Sequence, residues 1–407
     1  MNSKFNIVKK PKKSDDDEEV EDLMDEDDLD EEDTSSDSDF LKKRMFRFMG
    51  LIIVIMIVLL IILYIASMFS HKSYTYTEIE KIMKEAAISY FKDYPEYLPV
   101  NENSIVEVDV NNLVVAGKMK DLSEYTSSDD TCTGTVQVQK MPTDYVYVPY
   151  LNCGEKYSTI ELAKKILSDQ EIVTTGYGLY SNKSGHVYRG ENVNNYVQLG
   201  KTLWRIVKIT NDNNIVLIHS EGMNFTQPWD DRYNNDIGYE AGINLYSASR
   251  ISEFLQKVYT NPSVKQDEDI LTDNDRAKMV SFDVCIGKRT STSDVNDNSL
   301  ECSETLKNQK MGLLSLSDYI YASRDPNCKS VTTKSCRNYN YLALKKSWWL
   351  ATADSEDSYS VYSVSRNGYI KKENASNYAL VRPVIYLNSN VLYDSGNGTL
   401  EKPYKIR

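Results

Sequence analysis

Phe48–Ser70 reads FMGLIIVIMIVLLIILYIASMFS, a run of 23 residues without a charge. At about 1.5 Å per residue, a helix of this length crosses a hydrocarbon core of about 30 Å. Lys42, Lys43, Arg44 and Arg47 stand immediately before it, whereas only His71 and Lys72 follow closely. The positively charged flank stays in the cytoplasm. A cleaved signal peptide fits poorly, because its apolar region is usually about 7–15 residues long behind a short leader. The sequence therefore predicts a signal anchor: residues 1–47 inside, 48–70 in the bilayer and 71–407 outside, with the C-terminal portion at the cell surface.

The charge is unevenly spread around that segment. The chain of 407 residues has 47 Lys and Arg against 60 Asp and Glu, a net charge of −13. From Ser14 to Asp39 there are 17 acidic residues and no basic one, which leaves residues 1–47 at −8. Such a segment buries too little apolar surface to offset chain entropy, so residues 1–47 are expected to form a disordered acidic tail. An acidic chain lacks the cationic density needed for nucleic acid. Three His argue against a His-rich metal centre, and neither metal nor cofactor is expected.

Cysteine placement agrees with this orientation. Cys132, Cys153, Cys285, Cys302, Cys328 and Cys336 all follow the apolar run. An even number confined to the external side points to disulfides, and no C-x-x-C occurs that would favour a zinc ribbon or a redox site. Six cysteines allow 15 connectivities. The nearest-neighbour set is Cys132–Cys153, Cys285–Cys302 and Cys328–Cys336.

Residues 71–170 read as a small α+β domain. Thr77-Glu78-Ile79-Glu80 has the form of a capping box, and Ile79, Ile82, Met83, Ala86, Ala87, Tyr90 and Phe91 form one helical stripe. Thr133–Lys140 and Tyr145–Tyr150 alternate as a hairpin, and a helix is expected from Ser158 to about Leu167. Residues 171–407 read as a second α+β domain, built on an antiparallel sheet with hairpins and long loops. Leu203–Ile209 pairs with Asn214–Ile218, and Ser358–Ser365 pairs with Tyr369–Lys372 across the Asn367-Gly368 turn. Tyr378–Leu387 reads as one final strand, with Pro383 marking an edge or bulge. Asn244–Tyr259 and Leu313–Tyr321 carry helical periodicity.

Within the second domain, GLYSNKSGHVYRGENVNNYVQLGKTLWRIVKI (Gly178–Ile209) resembles the opening of a widespread, functionally uncharacterised surface-protein domain of low-GC Gram-positive bacteria. Gly312-Leu313-Leu314-Ser315, Ser347-Trp348-Trp349-Leu350, Val381-Arg382-Pro383-Val384-Ile385 and the ending from Gly396 through Gly398-Thr399 to Pro403-Tyr404 follow in the same order. The resemblance covers residues 172–407 and implies no activity. More distantly, W-W-L followed by V-R-P-V is similar to the closing strands of C-type-lectin-like folds, including formylglycine-generating-enzyme relatives. That oxidase's catalytic cysteine pair has no counterpart here. A membrane helix, an amphipathic helix and a disulfide-closed head are similar in layout to pilins, although Gly50-Leu51 lacks the acidic residue of a pilin processing site.

Few residues point to chemistry. Trp229 lies in the polar stretch Gln227–Asp236, where an aromatic ring beside Asp230, Asp231 and Tyr233 would stack on a sugar and bind its hydroxyls; the competing reading is a Trp that plugs the core. Adjacent acids diverge on a strand or helix, so Asp230 and Asp231 make a poor glycosidase pair. Asp294, Asn296 and Asn298 alternate like early calcium-loop ligands, but the required Gly and terminal Glu are missing. Trp204, Trp348 and Trp349 read as core, Arg382 as a strand charge needing buried partners, and His186 and His219 as turn or surface residues. The leading expectation is a non-catalytic recognition or adhesion protein for a glycan, an envelope polymer or a surface protein. An envelope hydrolase and a pilin-like assembly subunit are the alternatives. The hydrolase would need converging titratable groups, and the assembly subunit an uncovered helix stripe.

Overall fold

The computed structural model describes residues 35–69, 74–102, 104–126, 131–141, 144–260 and 271–407. They fall into two units, Met1–Lys72 and Ser73–Arg407. In the first, α1 (Ser35–Phe69) is a continuous helix. Its Lys43–Tyr64 segment is long and apolar enough to cross a membrane, and none of it is buried in protein. The helix begins well before Phe48, so the expectation of disorder fails for residues 35–47. Helix propagation from a nucleated segment is cheap, and neither Gly nor Pro interrupts residues 35–49. The rest of the acidic tail, residues 1–34, lies outside the described residues.

The second unit is α+β and contains two hydrophobic cores. In the smaller, α2 (Tyr76–Asp93) packs on a three-stranded antiparallel sheet of β1 (Ile105–Asp109), β2 (Thr133–Lys140) and β3 (Tyr145–Asn152), with α3 (Val110–Val115) between β1 and β2. The predicted stripe is largely covered: Ile79, Met83, Ala86, Ala87 and Phe91 are buried against Val108, Val136, Val138 and Leu151. The capping box sits two residues earlier than its predicted position. Thr75 is the N-cap and Glu78 reaches back to its N–H at 2.8 Å. Both registers satisfy the same local pattern, but Glu80 is drawn inward instead.

Glu80 is 2% exposed. It accepts hydrogen bonds from Thr159 and from Tyr157 Oη (2.8 Å), and it pairs with Arg407, whose Nη2 lies 3.1 Å from Oε1. This pair ties the first core to the closing strand of the second. Two backbone bonds reinforce the join, Leu162 N to Val391 O (2.8 Å) and Tyr393 N to Ile160 O (2.9 Å). α4 (Leu162–Asp169) already contributes Leu162, Ala163 and Ile166 to the second core, which therefore starts ahead of residue 171.

The second core lies among three sheets. Hairpin β4 (Gly178–Asn182)–β5 (Gly185–Arg189) leads into β6 (Tyr196–Leu199), β7 (Thr202–Thr210), β8 (Ile215–His219) and the short β9 (Thr226–Pro228). After α5 (Arg250–Thr260) and α6 (Asp273–Arg276) come β10 (Met279–Val280), β11 (Phe282–Cys285), β12 (Thr305–Gln309) and α7 (Leu316–Ala322). The chain ends with β13 (Trp348–Ala353), β14 (Ser360–Val364), β15 (Ile370–Asn374), β16 (Tyr378–Leu380), β17 (Val384–Leu387), β18 (Tyr393–Ser395) and β19 (Tyr404–Ile406). The nine-stranded sheet runs β10-β17-β8-β7-β6-β19-β18, with β5 and then β4 branching from β7. The five-stranded sheet runs β15-β14-β13-β16-β9, and β11 pairs with β12.

All three predicted hairpins form: β2–β3 in the first core, and β7–β8 and β14–β15 in the second. The predicted strand Tyr378–Leu387 does not stay in one sheet: β16 belongs to the five-stranded sheet and β17 to the nine-stranded one. Pro383, which has no N–H to donate, lies in the gap between them. The helix predicted from Asn244 begins at Arg250, because Asn244 is buried and donates to the carbonyls of Asp354, Asp357 and Ser360. The three nearest-neighbour disulfides are all present.

Arg407→Met would leave the buried Glu80 carboxylate without its cation. Urea unfolding should show a loss of about 3 kcal/mol, and adding Glu80→Met should recover most of it. Unchanged stability in the single variant would mean that the pair does not join the two cores.

Candidate binding groove

Sequence reasoning places the site at Trp229, but the structure buries that residue. Its ring is 0% exposed, packs edge-on against Tyr246 (5.6 Å) and donates Nε1–H to Leu350 O at 3.0 Å. Trp349 returns the contact with Nε1–H to Gln227 O at 2.8 Å. The two indoles thus stitch β9 to β13, and Trp229 presents no face for a sugar. Asp230 is also fully buried. It pairs with Arg232 (2.7 Å) and accepts the backbone N–H groups of Ile243 (3.0 Å) and Arg250 (3.2 Å) at the start of α5. Asp231 reaches the surface toward Arg250, and Tyr233 is exposed. The four candidates do not converge.

The calcium-like spacing disperses in the same way. Asn296 donates to Lys329 O, and Asn298 donates to Asp318. Among the described residues no group of three His, Cys, Asp or Glu could hold a metal ion. His219, predicted at a turn or surface, is instead buried at the end of β8, with Nδ1 unpartnered and its ring edge-on to Trp204. Burial, helped by the nearby Arg382 and Lys346, pushes its pKa down to about 4. Arg382 has three carbonyl acceptors: His219 O (2.8 Å), Leu342 O (2.8 Å) and Ser220 O (2.9 Å). Its guanidinium lies 4.9 Å from the Trp348 ring.

Beside Ala343 and Leu344, just past Leu342 in the chain, the surface opens into a groove of about 570 Å³. Its walls come from the 3₁₀ turn Lys334–Arg337, the following segment to Lys345 and the β14–β15 turn. Arg337, Lys345 and Arg366 line it, with Tyr339, Asn338 and Glu191. All three cations are exposed, and among the described residues none has a carboxylate partner. Arg337 instead lies over the Tyr369 ring at 4.8 Å.

Local chemistry fixes the walls. The Cys328–Cys336 disulfide closes the loop behind Arg337. Gly368 has φ +76°, and a Cβ there would stand 2.8 Å from Arg337 Cβ, so the turn requires glycine. Its carbonyl is held by buried Tyr319 Oη at 2.7 Å. Tyr339 has φ +48°, a left-handed conformation that costs on the order of 1–3 kcal/mol for a bulky residue. It is pinned on both sides: Arg324 N–H bonds to its carbonyl, while Asn338 bonds to Asp325 and Asn340 bonds to Tyr319 O and Cys336 O. Its ring is 48% exposed, 5.9 Å from that of Tyr177. Strained, exposed and rigidly supported aromatics are characteristic of binding surfaces. Sequence reading recognises Arg366-Asn367-Gly368 only as a turn, and the other groove residues carry no local signal.

The described residues thus form an α+β domain with an exposed groove lined by three cations and one carboxylate. Residues 213–389 match the sequence model of a family described as a domain of unknown function, DUF6273. The matched stretch includes the groove cations and the sheet-switching Arg382, and it leaves the resembling opening at Gly178–Ile209 outside. No curated protein matches the chain, and no solved structure does.

The depressed pKa of His219 has a definite sign. Between its ordinary value of about 6.5 and about 4, the unfolded chain takes up a proton that the folded chain refuses. Stability conferred by this residue is complete above pH 6.5 and falls as acid is added, by on the order of 3 kcal/mol at pH 4. Urea titrations of wild type and His219→Phe across this window should diverge by that amount; parallel curves would contradict the burial.

Proposed function

We propose that the chain is a single-pass, membrane-anchored surface recognition protein, without catalytic activity, that holds an anionic envelope polymer in the groove of Arg337, Lys345 and Arg366. The acidic tail faces the cytoplasm, α1 spans the bilayer, and residues 71–407 lie outside. The observation that carries the reading is the cluster of three unpaired cations, flanked by a strained exposed tyrosine, on a chain whose net charge is −13. Three cations against the single carboxylate of Glu191 leave the groove net positive, which attracts an extended polyanion and gives a neutral chain no comparable pull. Exposed apolar side chains from Met45 to Tyr64 support the anchor, and three disulfides in the larger unit support an oxidising exterior. The distant likeness to C-type-lectin-like domains fits a binding role. The hydrolase alternative gains no support from Asp230 and Asp231, which point apart, and the assembly alternative gains none from α2, whose stripe is mostly covered.

The full-length chain in lipid nanodiscs should bind dextran sulfate and inorganic polyphosphate, and should ignore unsulfated dextran. Binding should weaken with salt as surface charges are screened. Exchanging Arg337, Lys345 and Arg366 for Gln should cost at least about tenfold in affinity. Equal binding of neutral dextran, or an unaffected triple variant, would remove the groove from the account.

Protease treatment of intact cells should remove residues 71–407 while leaving an epitope within residues 1–34 protected. The reverse pattern would invert the topology.

A further inference from the structure

A second cavity, of about 260 Å³, is built differently. Its floor is the nine-stranded sheet, where Lys208 on β7, Val216 on β8 and Tyr386 on β17 stand in register across three adjacent strands. Two long polar side chains thus flank a short apolar one. Among the described residues, neither the Lys208 ammonium nor the Tyr386 hydroxyl has a hydrogen-bond partner, and both residues line the cavity. Both residues are half-buried, so their polar tips remain accessible from the cavity.

The opposite wall carries the complementary sign. Asp318, in the first turn of α7, accepts from Asn298 Nδ2 (2.7 Å) and Ser315 Oγ (2.8 Å), which fix its carboxylate. That wall is itself braced by the fully buried Arg289–Glu301 pair (3.1 Å) and by the Cys285–Cys302 disulfide. The other carboxylates at the cavity are engaged: Asp283 with Lys307 and the Asn308 N–H, and Asp297 with Ser299. Lys208 is electrostatically coupled to Asp318. Burial lowers its pKa, and Asp318 and Tyr386 outweigh that and raise it. Yet no ion pair within 4.0 Å joins the two among the described residues. Opposite charges are held apart across a small, preorganised cavity.

We infer that this cavity binds a small free amino acid, its carboxylate received by Lys208 and Tyr386 above Val216 and its ammonium by Asp318. The site is independent of the cationic groove: it lies on other elements and takes a compact ligand carrying both charges instead of a polyanion.

The test uses the full-length chain in nanodiscs with L- and D-alanine, L-serine and L-phenylalanine as probes, each up to about 10 mM, followed by calorimetry and saturation-transfer NMR. At least one probe should bind, whereas alaninamide (no carboxylate) and propionate (no ammonium) should each bind at least about tenfold more weakly than alanine or not at all. Lys208→Met should lower affinity by at least about tenfold, and Tyr386→Phe, which removes one hydroxyl and keeps the stack on Phe282 (4.1 Å), by about threefold to tenfold. Arg337→Gln should leave amino-acid binding unchanged, which separates this site from the groove. The inference is overturned if none of the amino acids binds, if propionate or alaninamide matches alanine, or if Tyr386→Phe binds alanine as wild type does.

Discussion

A guanidinium that has no carboxylate ion-pair partner among the described residues sets the geometry of the larger core. Arg382 is fully buried at the point where the chain leaves one sheet for the other. Its ion cannot stay there unsolvated, so three backbone carbonyls must converge on it. Those carbonyls belong to the end of β8, the residue after it and the segment that rises into the groove. One side chain therefore holds together the nine-stranded sheet, the sheet switch at Pro383 and the base of the cationic surface. Burial pulls its pKa down to about 9, and Arg205 nearby adds to the effect, but it remains charged at neutral pH.

Much of this fold is legible from the sequence, for a reason that also explains what is not. The β7–β8 and β14–β15 hairpins, the α2 stripe and the disulfide partners are encoded by neighbours in sequence, so periodicity and turn residues suffice. The fate of Trp229 depends on Leu350, 121 residues away, and no local pattern reports it. The capping box shows the limit of local rules: Thr75 with Glu78 and Thr77 with Glu80 satisfy the same motif, and Glu80 is engaged instead by the distant Tyr157, Thr159 and Arg407. The strand Tyr378–Leu387 looks continuous because both halves are apolar; only the partners reveal that they join different sheets.

The candidate sites were the least legible features. Glu191, Arg337 with Lys345, and Arg366 come from three separate stretches, none of which carries a local signal of a site. Lys208 and Tyr386 sit inside strands whose register must be known before the pair can be seen. The polar loop around Trp229 looked functional because its residues are rich in donors and acceptors. In the fold those groups mostly serve each other: Asp230, Arg232 and Asn234 bond to nearby backbone and side chains.

The short Cys328–Cys336 link gives the cationic surface a maturation step. It closes eight residues of sequence separation immediately behind Arg337, and Asn340 bonds to the carbonyl of Cys336 itself. With free thiols, the segment that displays Arg337 and the strained Tyr339 loses its covalent tether and keeps only hydrogen bonds such as that of Asn340, so the order of this exposed face is tied to the redox state of one short loop.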